Sequence, residues 1–174
     1  MRGQLELYEL FEKLAIQFEY YEHPPLATID EAIIHWKDYN SGRCKNIFFR
    51  NHKGNKHYLV ILEHLRQLNI HDLEKRLGQG KLTFASDVRL KKYLGVEPGS
   101  VSPFGLINDT EKHVHLFIDE KLNESERLTF HPNINTASLV ISKGDFLKFL
   151  DHTGNSFEFI KLYDAPQVST PPPP

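Results

Sequence analysis

The chain has 174 residues, of which 40% are hydrophobic and 25% charged, with 21 basic and 23 acidic side chains. This length and apolar content predict one domain with its own core and exclude a disordered chain. The net charge of −2 excludes a uniformly basic nucleic-acid coat protein. The longest apolar run, Tyr58–Leu62, is too short to cross a bilayer, and the single cysteine, Cys44, excludes an internal disulfide framework and favours a reducing cytoplasm.

The first forty residues predict two helices separated by a short strand. Apolar residues recur at spacings of three and four from Leu7 to Phe18, which is typical of an amphipathic helix. Phe18–Glu22 then predicts a strand that ends at His23-Pro24-Pro25. Thr28 and Glu31 fit a capping box, so a second helix is expected to begin there and to run into Trp36.

The middle of the chain predicts a hairpin followed by two helices. Lys45–Arg50 and Lys56–Leu62 are rich in strand-forming residues and are separated by a polar turn. A helix around His71–Leu77 is expected to end at Gly78, since glycine adopts the left-handed cap without strain. After the strand Lys81–Ala85, Ser86 is expected to cap a further helix that closes at Gly95.

The remaining segments predict more strands. The loop Val96–Pro103 is expected to enter a strand at Phe104–Asn108. Lys112–Asp119 and Arg127–His131 alternate in polarity, which indicates half-buried strands. The last predicted elements are the strand Ala137–Ile141, a helix from about Lys143 to Leu150 and the strand Phe157–Tyr163.

These elements predict an α/β fold: a single domain with a mixed, largely antiparallel sheet and helices packed around it. We expect residues 1–163 to form this domain and the Pro-rich residues 164–174 to form a disordered tail.

Three local features carry possible chemistry. The segment Arg43–His57 holds five lysines and arginines and no acidic residue, which favours either phosphate binding or a solvated hairpin. The segment Glu97–Gly105 is rich in glycine and proline, and a rigid loop of this kind can present consecutive N–H groups to an anion, or merely connect two elements. His131 follows a predicted strand and precedes Pro132, where it could donate a hydrogen bond or move a proton.

Three other sites are less well supported. His113 and His115 share one strand face, as two metal ligands might, but no further ligand at a recognisable spacing completes a set. Cys44 has no identifiable base for nucleophilic catalysis, so a packed cysteine is the simpler interpretation. No Gly-rich ATP-binding signature is present.

Taken together, the segments Cys44–Arg50, Pro98–Leu106 and Phe130–Ala137 occur in the order found in the YbaK/ProX aminoacyl-tRNA deacylases, which the chain resembles over roughly residues 5–163. Within that family it looks most like the freestanding prolyl-tRNA editing proteins, which remove alanine mistakenly attached to tRNA(Pro). His23-Pro24-Pro25 and Thr28–Ala32 also match the pattern near the family's N-terminus. The stretch Ile33–Gly42 has no counterpart that we can align.

The resemblance assigns roles to individual residues. It implies that Lys45 helps bind the phosphate of the acceptor end, that loop amides around Gly99–Ser102 hold the aminoacyl group, and that His131 helps to shape a small pocket. The expected catalytic residues are Lys45, Gly99, Ser100 and His131. The expected substrate-binding residues are Asn46, Val101, Ser102, Pro103, Phe104, Arg43 and Arg50.

The resemblance also implies a reaction. The expected activity is hydrolysis of the ester of mischarged tRNA, most specifically Ala-tRNA(Pro), with no metal or cofactor and with water attack assisted by the terminal ribose hydroxyl of the tRNA. The expected partners are the acceptor end of aminoacyl-tRNA and, transiently, prolyl-tRNA synthetase, in the cytoplasm and without a membrane. The oligomeric state stays open. The alternatives are a deacylase for another small amino acid, such as Cys-tRNA(Pro), and a tRNA-binding or regulatory protein without hydrolysis.

Overall fold

Strand β2, Gly42–Asn51, connects the two halves of an eight-stranded sheet. The computed structural model describes residues 1–25, 41–63 and 69–164 of the chain. Along one edge, β2 forms an antiparallel hairpin with β3, His57–Glu63. Along its other edge, β2 pairs with two short strands, one at each end of its length.

The remaining strands are β1 (Phe18–Glu22), β4 (Leu82–Phe84), β5 (Val114–Asp119), β6 (Arg127–Phe130), β7 (Ala137–Ser142) and β8 (Phe157–Ile160). The α-helices of the described ranges are α1 (Leu5–Lys13), α2 (Ile70–Leu77), α3 (Asp87–Leu94) and α4 (Lys143–Thr153), and 3-10 helices span Pro103–Asn108 and Glu120–Glu124.

The strands follow the order β1-β7-β6-β2-β3-β5-β8, and β4 pairs with β2 beside this path. The pairs β1–β7, β7–β6, β2–β3 and β2–β4 are antiparallel, whereas β6–β2, β3–β5 and β5–β8 are parallel. The mixed α/β sheet expected from the sequence is therefore confirmed.

Most of the expected elements are confirmed with small shifts in their ends. Helices α2 and α3 end at Gly78 and Gly95, and both glycines adopt the left-handed conformation. The last strand ends at Ile160, three residues before the expected end at Tyr163. The expected helix after Thr28 and the expected Pro-rich tail beyond Asp164 lie outside the described residues.

Two expectations are wrong. Phe104–Asn108 lies in the 3-10 helix Pro103–Asn108, because Pro103 presets a helical backbone angle and the Ser102 hydroxyl accepts a hydrogen bond from the Phe104 N–H group. The strand β5 is buried on both faces instead of half-buried, because it pairs with β3 and β8 and its Phe117 packs into a second hydrophobic cluster.

The two faces of the sheet bury different clusters. One face carries the larger cluster, which extends over β1, β7, β6, β2, β3 and β5. It is covered by α1, α3, α4 and the first 3-10 helix. The aromatic rings of Phe11, Phe104, Phe130 and Phe149 meet there, with centroid separations of 5.1–6.1 Å. On the opposite face, α2 packs through Leu73 and Leu77 against a cluster formed by β2, β3, β4, β5 and β8. The β1-β7-β6 half of that opposite face carries mostly polar residues, among them Tyr21, Thr129 and Ser138.

No helix among the described residues is both long and apolar enough to span a bilayer.

A buried histidine joins the hairpin to α3. Both ring nitrogens of His57 are engaged: Nδ1 lies 2.8 Å from His113 Nε2, and Nε2 accepts a hydrogen bond from Arg89 at 2.7 Å. Burial, together with the positive charges that face it from His113, Arg89, Lys92 and Arg50, lowers the pKa of His57 from its ordinary value of 6.5 to about 4.

We therefore expect the free energy of unfolding to fall as the pH drops from about 6.5 towards 4. The unfolded chain takes up a proton on His57 at its ordinary pKa, whereas the folded chain resists protonation. Urea unfolding at pH 7 and at pH 5 measures this loss. His57→Gln should reduce the pH dependence although it lowers stability at both pH values. His152→Gln, which changes an exposed histidine, serves as the control, and equal pH dependence in the wild type and His57→Gln would contradict the assignment.

Candidate active site

A polar surface lies on one face of the sheet, at the join between β2 and β6. Successive side chains of a strand point to opposite faces, and residues paired across strands share a face. Arg43 pairs with Thr129, and Thr129 pairs with Val140 of β7. We call this surface the polar face; its members are His23, Arg43, Lys45, Thr129, His131 and Ser138.

Lys45 is a cation of this face that has no partner among the described residues. Its side chain is half-buried, next to the hydrophobic cluster under α2, and within the described ranges it forms no ion pair or hydrogen bond. An ammonium group in such a position remains available to an anionic ligand, which it would bind as a point charge. Arg43 lies two residues before Lys45 on the same face of β2, and it pairs with Thr129 of β6.

The hydrogen bond of His131 fixes its tautomer. Nδ1 lies 2.8 Å from the Ala137 carbonyl oxygen, which can only accept, so Nδ1 carries the proton and Nε2 keeps its lone pair. Burial lowers the pKa of His131, the bond to Ala137 opposes this, and His23 lowers it further. The ring is therefore a neutral hydrogen-bond acceptor at pH 7 and is suited to an N–H or O–H group of a ligand.

His23 supports His131 from the end of β1. The two ring centroids are 5.8 Å apart. His23 Nδ1 donates to the Pro24 carbonyl at 2.9 Å, so its Nε2 accepts from the buried Ser138 hydroxyl at 3.0 Å. From the sequence, His23-Pro24-Pro25 is only a strand breaker and a match to a family pattern. Its side-chain role depends on the β1–β7 register, which local sequence does not reveal.

The Gly/Pro loop begins with a tight turn. Pro98 and Gly99 occupy its central positions, Gly99 has φ +81°, and the Ser100 N–H group donates to the Glu97 carbonyl at 3.1 Å. A type II turn needs glycine at this position. The Ser100 amide is therefore engaged within the turn. Within the described part of the chain, the N–H groups of Gly99, Val101 and Ser102 have no acceptor.

This loop lies beside the segment that carries His131. A Cβ atom built on Gly99 would lie 3.7 Å from Asn135 Nδ2. The structure thus brings the Gly99 turn and the β6–β7 connection together, as the expected site requires. Pro103 and Phe104 follow the turn and are buried, and Phe104 packs edge-on against Phe130, the residue before His131.

A chain of amide side chains braces the two loops. Asn133, which has φ +62°, donates to Gln4 Oε1 at 3.0 Å, and Gln4 Nε2 donates to Asn108 Oδ1 at 3.0 Å. Asn108 Nδ2 in turn donates to the Leu94 and Gly105 carbonyls at 2.9 and 3.2 Å. Gln4 therefore links the β6–β7 connection to the 3-10 helix that follows the Gly99 loop. Neither Gln4 nor Asn108 carried a signal in the sequence.

Asn46 and Arg50, the other two β2 residues expected to bind substrate, lie apart from this face. Asn46 follows Lys45 in β2, so its side chain begins on the opposite face, where its Oδ1 atom is buried without a hydrogen-bond partner. Arg50 lies five residues beyond Lys45, about 16 Å along the strand. Its guanidinium donates to the carbonyls of Asn51 and His52.

The contacts of Cys44, His113 and His115 show what these side chains do in the fold. Cys44 is buried, its thiol donates weakly to the Gly42 carbonyl, and burial raises its pKa, so it is a packed residue, as expected. His113 contacts His57, whereas His115 contacts Ser156 and Glu158. The described residues contain no group of three or more side chains that could hold a metal ion.

The fold and the site define a class of protein. The sheet carries a cation and a neutral histidine on one face, and a glycine turn with free amides approaches the β6–β7 connection that follows this histidine. Such groups suit an ester with a phosphate nearby. Residues 23–149 match the family described as aminoacyl-tRNA editing domain. The chain belongs to this family and is an aminoacyl-tRNA deacylase of the YbaK/ProX type.

The similar proteins agree with this assignment. The chain is 38% identical over 154 residues to the prolyl-tRNA editing protein ProX of Acetoanaerobium sticklandii, covering 87% of this chain and 92% of that one. It is 35% identical over 159 residues to the prolyl-tRNA synthetase associated domain-containing protein 1 of Bos taurus, covering 89% and 91% of the two chains.

Solved structures share the fold at low sequence identity. A structure proposed to be a trans-editing enzyme for prolyl-tRNA synthetase aligns with a TM-score of 0.66 at 18% identity, over 92% of this chain and 99% of that one. The hypothetical protein APE2540 aligns with a TM-score of 0.67 at 18% identity, over 89% and 98%.

The tautomer of His131 can be tested directly. We expect its nitrogen NMR resonances at pH 7 to show a proton on Nδ1 and none on Nε2, and its titration midpoint to lie below the ordinary value of 6.5. A proton on Nε2, or a midpoint at or above 6.5, would contradict the role of His131 as a neutral acceptor.

Proposed function

We propose that this protein hydrolyses the ester bond of mischarged Ala-tRNA(Pro), acting in trans on released aminoacyl-tRNA. The observation that carries the proposal is the close approach of the Gly99 turn to Asn135, in the β6–β7 connection that begins at His131. The name of the Acetoanaerobium sticklandii relative, a prolyl-tRNA editing protein, supports the choice of tRNA(Pro).

The physical need for such an enzyme follows from the limits of size selection. A synthetase pocket that accepts proline excludes the smaller alanine only weakly, because each missing methylene is worth about 1–3 kcal/mol. A second site that admits alanine but excludes proline corrects the error. The site must therefore be small and must resist expansion.

The surroundings of the Gly99 turn support a small site. Ser100, Ser102, Pro103 and Phe104 are all buried, and Phe104 is held among the aromatic rings of the larger cluster. A close-packed interior of this kind resists the displacement that a larger amino acid would require. Gly99 itself is exposed, so the turn is accessible to a ligand.

The binding roles follow from the charges and hydrogen-bonding groups. The Lys45 ammonium would bind a phosphate of the acceptor end, and Arg43 would add a second positive charge. The free N–H groups of Gly99, Val101 and Ser102 would donate to the ester carbonyl, whose oxygen gains negative charge as water attacks. The Nε2 atom of His131 would accept from the α-ammonium group of alanine or from a ribose hydroxyl.

The attacking water needs no protein nucleophile in this scheme. Cys44 is packed, and His131 has no neighbouring carboxylate among the described contacts. We propose that the terminal ribose hydroxyl of the tRNA assists the water, as the family resemblance implies. The protein then contributes mainly position and electrostatic stabilisation.

The substrate assignment is tested by hydrolysis rates measured side by side. We expect Ala-tRNA(Pro) to be hydrolysed much faster than Pro-tRNA(Pro), Cys-tRNA(Pro) and Ala-tRNA(Ala). Rapid loss of Cys-tRNA(Pro) alone would replace alanine by cysteine in the proposal. Binding of all four without any hydrolysis would overturn the proposed activity.

The role of Lys45 is tested by substitution. Lys45→Ala should raise KM for the aminoacyl-tRNA about tenfold or more, because a charged hydrogen bond to phosphate is worth about 1.5–3 kcal/mol. Lys45→Arg, which keeps the charge, should recover part of the loss, and Lys13→Ala on α1 should behave as the wild type. Unchanged kinetics in Lys45→Ala, at unchanged stability, would remove Lys45 from the site.

A further inference from the structure

The basic segment Arg43–His57 forms two separate surfaces in the fold. Arg43 and Lys45 lie at the end of β2 that pairs with β6. Arg50, Lys53 and Lys56 surround the hairpin turn at the other end, about 16 Å away along the strand. Lys53 and Lys56 are exposed there. The second surface therefore cannot serve the acceptor end through the same contact as Lys45.

The hairpin turn is fixed onto helix α3. Arg89 of α3 donates to the Gly54 carbonyl at 2.9 Å and to His57 Nε2 at 2.7 Å. Gly54 has φ +72°, and a Cβ atom at this position would lie 2.9 Å from Arg89 Nη2. Only glycine allows both this backbone conformation and this close approach. The turn lysines and the basic residues of α3 are thus held as one surface.

The cations of this surface are held by neutral groups. The Arg50 guanidinium donates to two backbone carbonyls, and Lys92 lies 4.9 Å from the centre of the Tyr93 ring. Arg89 has only the carbonyl and imidazole contacts described above. None of the three forms an ion pair with a described residue.

Carboxylates are few on the same elements. Asp87 lies in the first turn of α3, and Glu97 engages Lys91 at 3.0 Å, so Lys91 is left out of the surface. The surface therefore keeps a net positive charge in a protein whose overall charge is −2. We call it the hairpin surface: Arg50, Lys53, Lys56, Arg89 and Lys92.

We propose that the hairpin surface binds the phosphate backbone of the tRNA body, as a contact separate from the acceptor-end contact at Lys45. This inference rests on the proposed function, which supplies tRNA as the ligand. Charge complementarity carries it: unpaired cations on a rigid scaffold suit a regular array of phosphates, with lysines as flexible point charges. Contacts to phosphate carry no sequence information, so this surface strengthens binding without choosing the tRNA.

The test compares two RNAs with one double variant. Lys53→Ala/Lys92→Ala removes one exposed lysine from the turn and one from α3. We expect weaker binding of full-length uncharged tRNA(Pro) and a reduction of about 2 in the slope of log Kd against log salt, roughly one for each phosphate contact. A short single-stranded RNA with only the acceptor end should bind the variant and the wild type alike.

The control is Lys13→Ala/Lys121→Ala, which makes the same change in net charge on α1 and on the second 3-10 helix. An equal loss of tRNA affinity in both double variants would overturn the inference. The loss would then follow from the change in net charge and not from the position of the two lysines. Equal weakening on the short RNA would also overturn it, because the surface would then belong to the acceptor-end site. Binding of uncharged tRNA requires no hydrolysis, so failure of this test is distinguishable from failure of the proposed activity.

Discussion

The pleat of β2 is the constraint on which the rest of the molecule depends. Cys44 and Phe48 point into the larger hydrophobic cluster, and this orientation forces Arg43 and Lys45 onto the opposite face. A shift of one residue in the β2–β3 register would bury the Lys45 ammonium in the apolar core, where an unpaired charge strongly destabilises the folded state. The burial that stabilises the sheet therefore also presents the candidate phosphate-binding group.

The two loops of the site are positioned by small polar contacts instead of by regular structure. Gln4 connects Asn133 with Asn108, and His23 connects the end of β1 with Ser138. Buried polar groups are costly unless they are paired, so these contacts define one arrangement of the loops. A deacylase that relies on the position of the ester and on free backbone N–H groups needs this rigidity. Misplacement of the ester by about an ångström removes much of the rate enhancement.

Much of the fold could be predicted because local patterns carry it: the hairpin around residues 51–55, the helices that end at Gly78 and Gly95, and the strands β6 and β7. The 3-10 helix at Pro103 was missed because a cap by Ser102 and the close approach of Gly105 to Leu94 set the backbone there. Lys45, Gly99 and His131 were proposed as site residues from local features of the sequence and from the family resemblance. His23 and Gln4 were not given roles, since their partners His131, Ser138, Asn133 and Asn108 lie between 104 and 129 residues away in the chain. Asn108 was not given a role either, since its partner Gln4 lies 104 residues away. The division of the basic segment into two surfaces likewise required the length and direction of β2.

The central claim is that the aminoacyl group binds where the Gly99 turn meets the His131 segment. The most direct measurement is NMR titration with an adenosine analogue that carries alanine through a stable amide in place of the ester. The account predicts saturable shifts of the Gly99, Val101 and Ser102 amides and of the His131 ring nitrogens. Saturable binding that leaves these resonances unmoved, and shifts residues elsewhere in the fold instead, would contradict it.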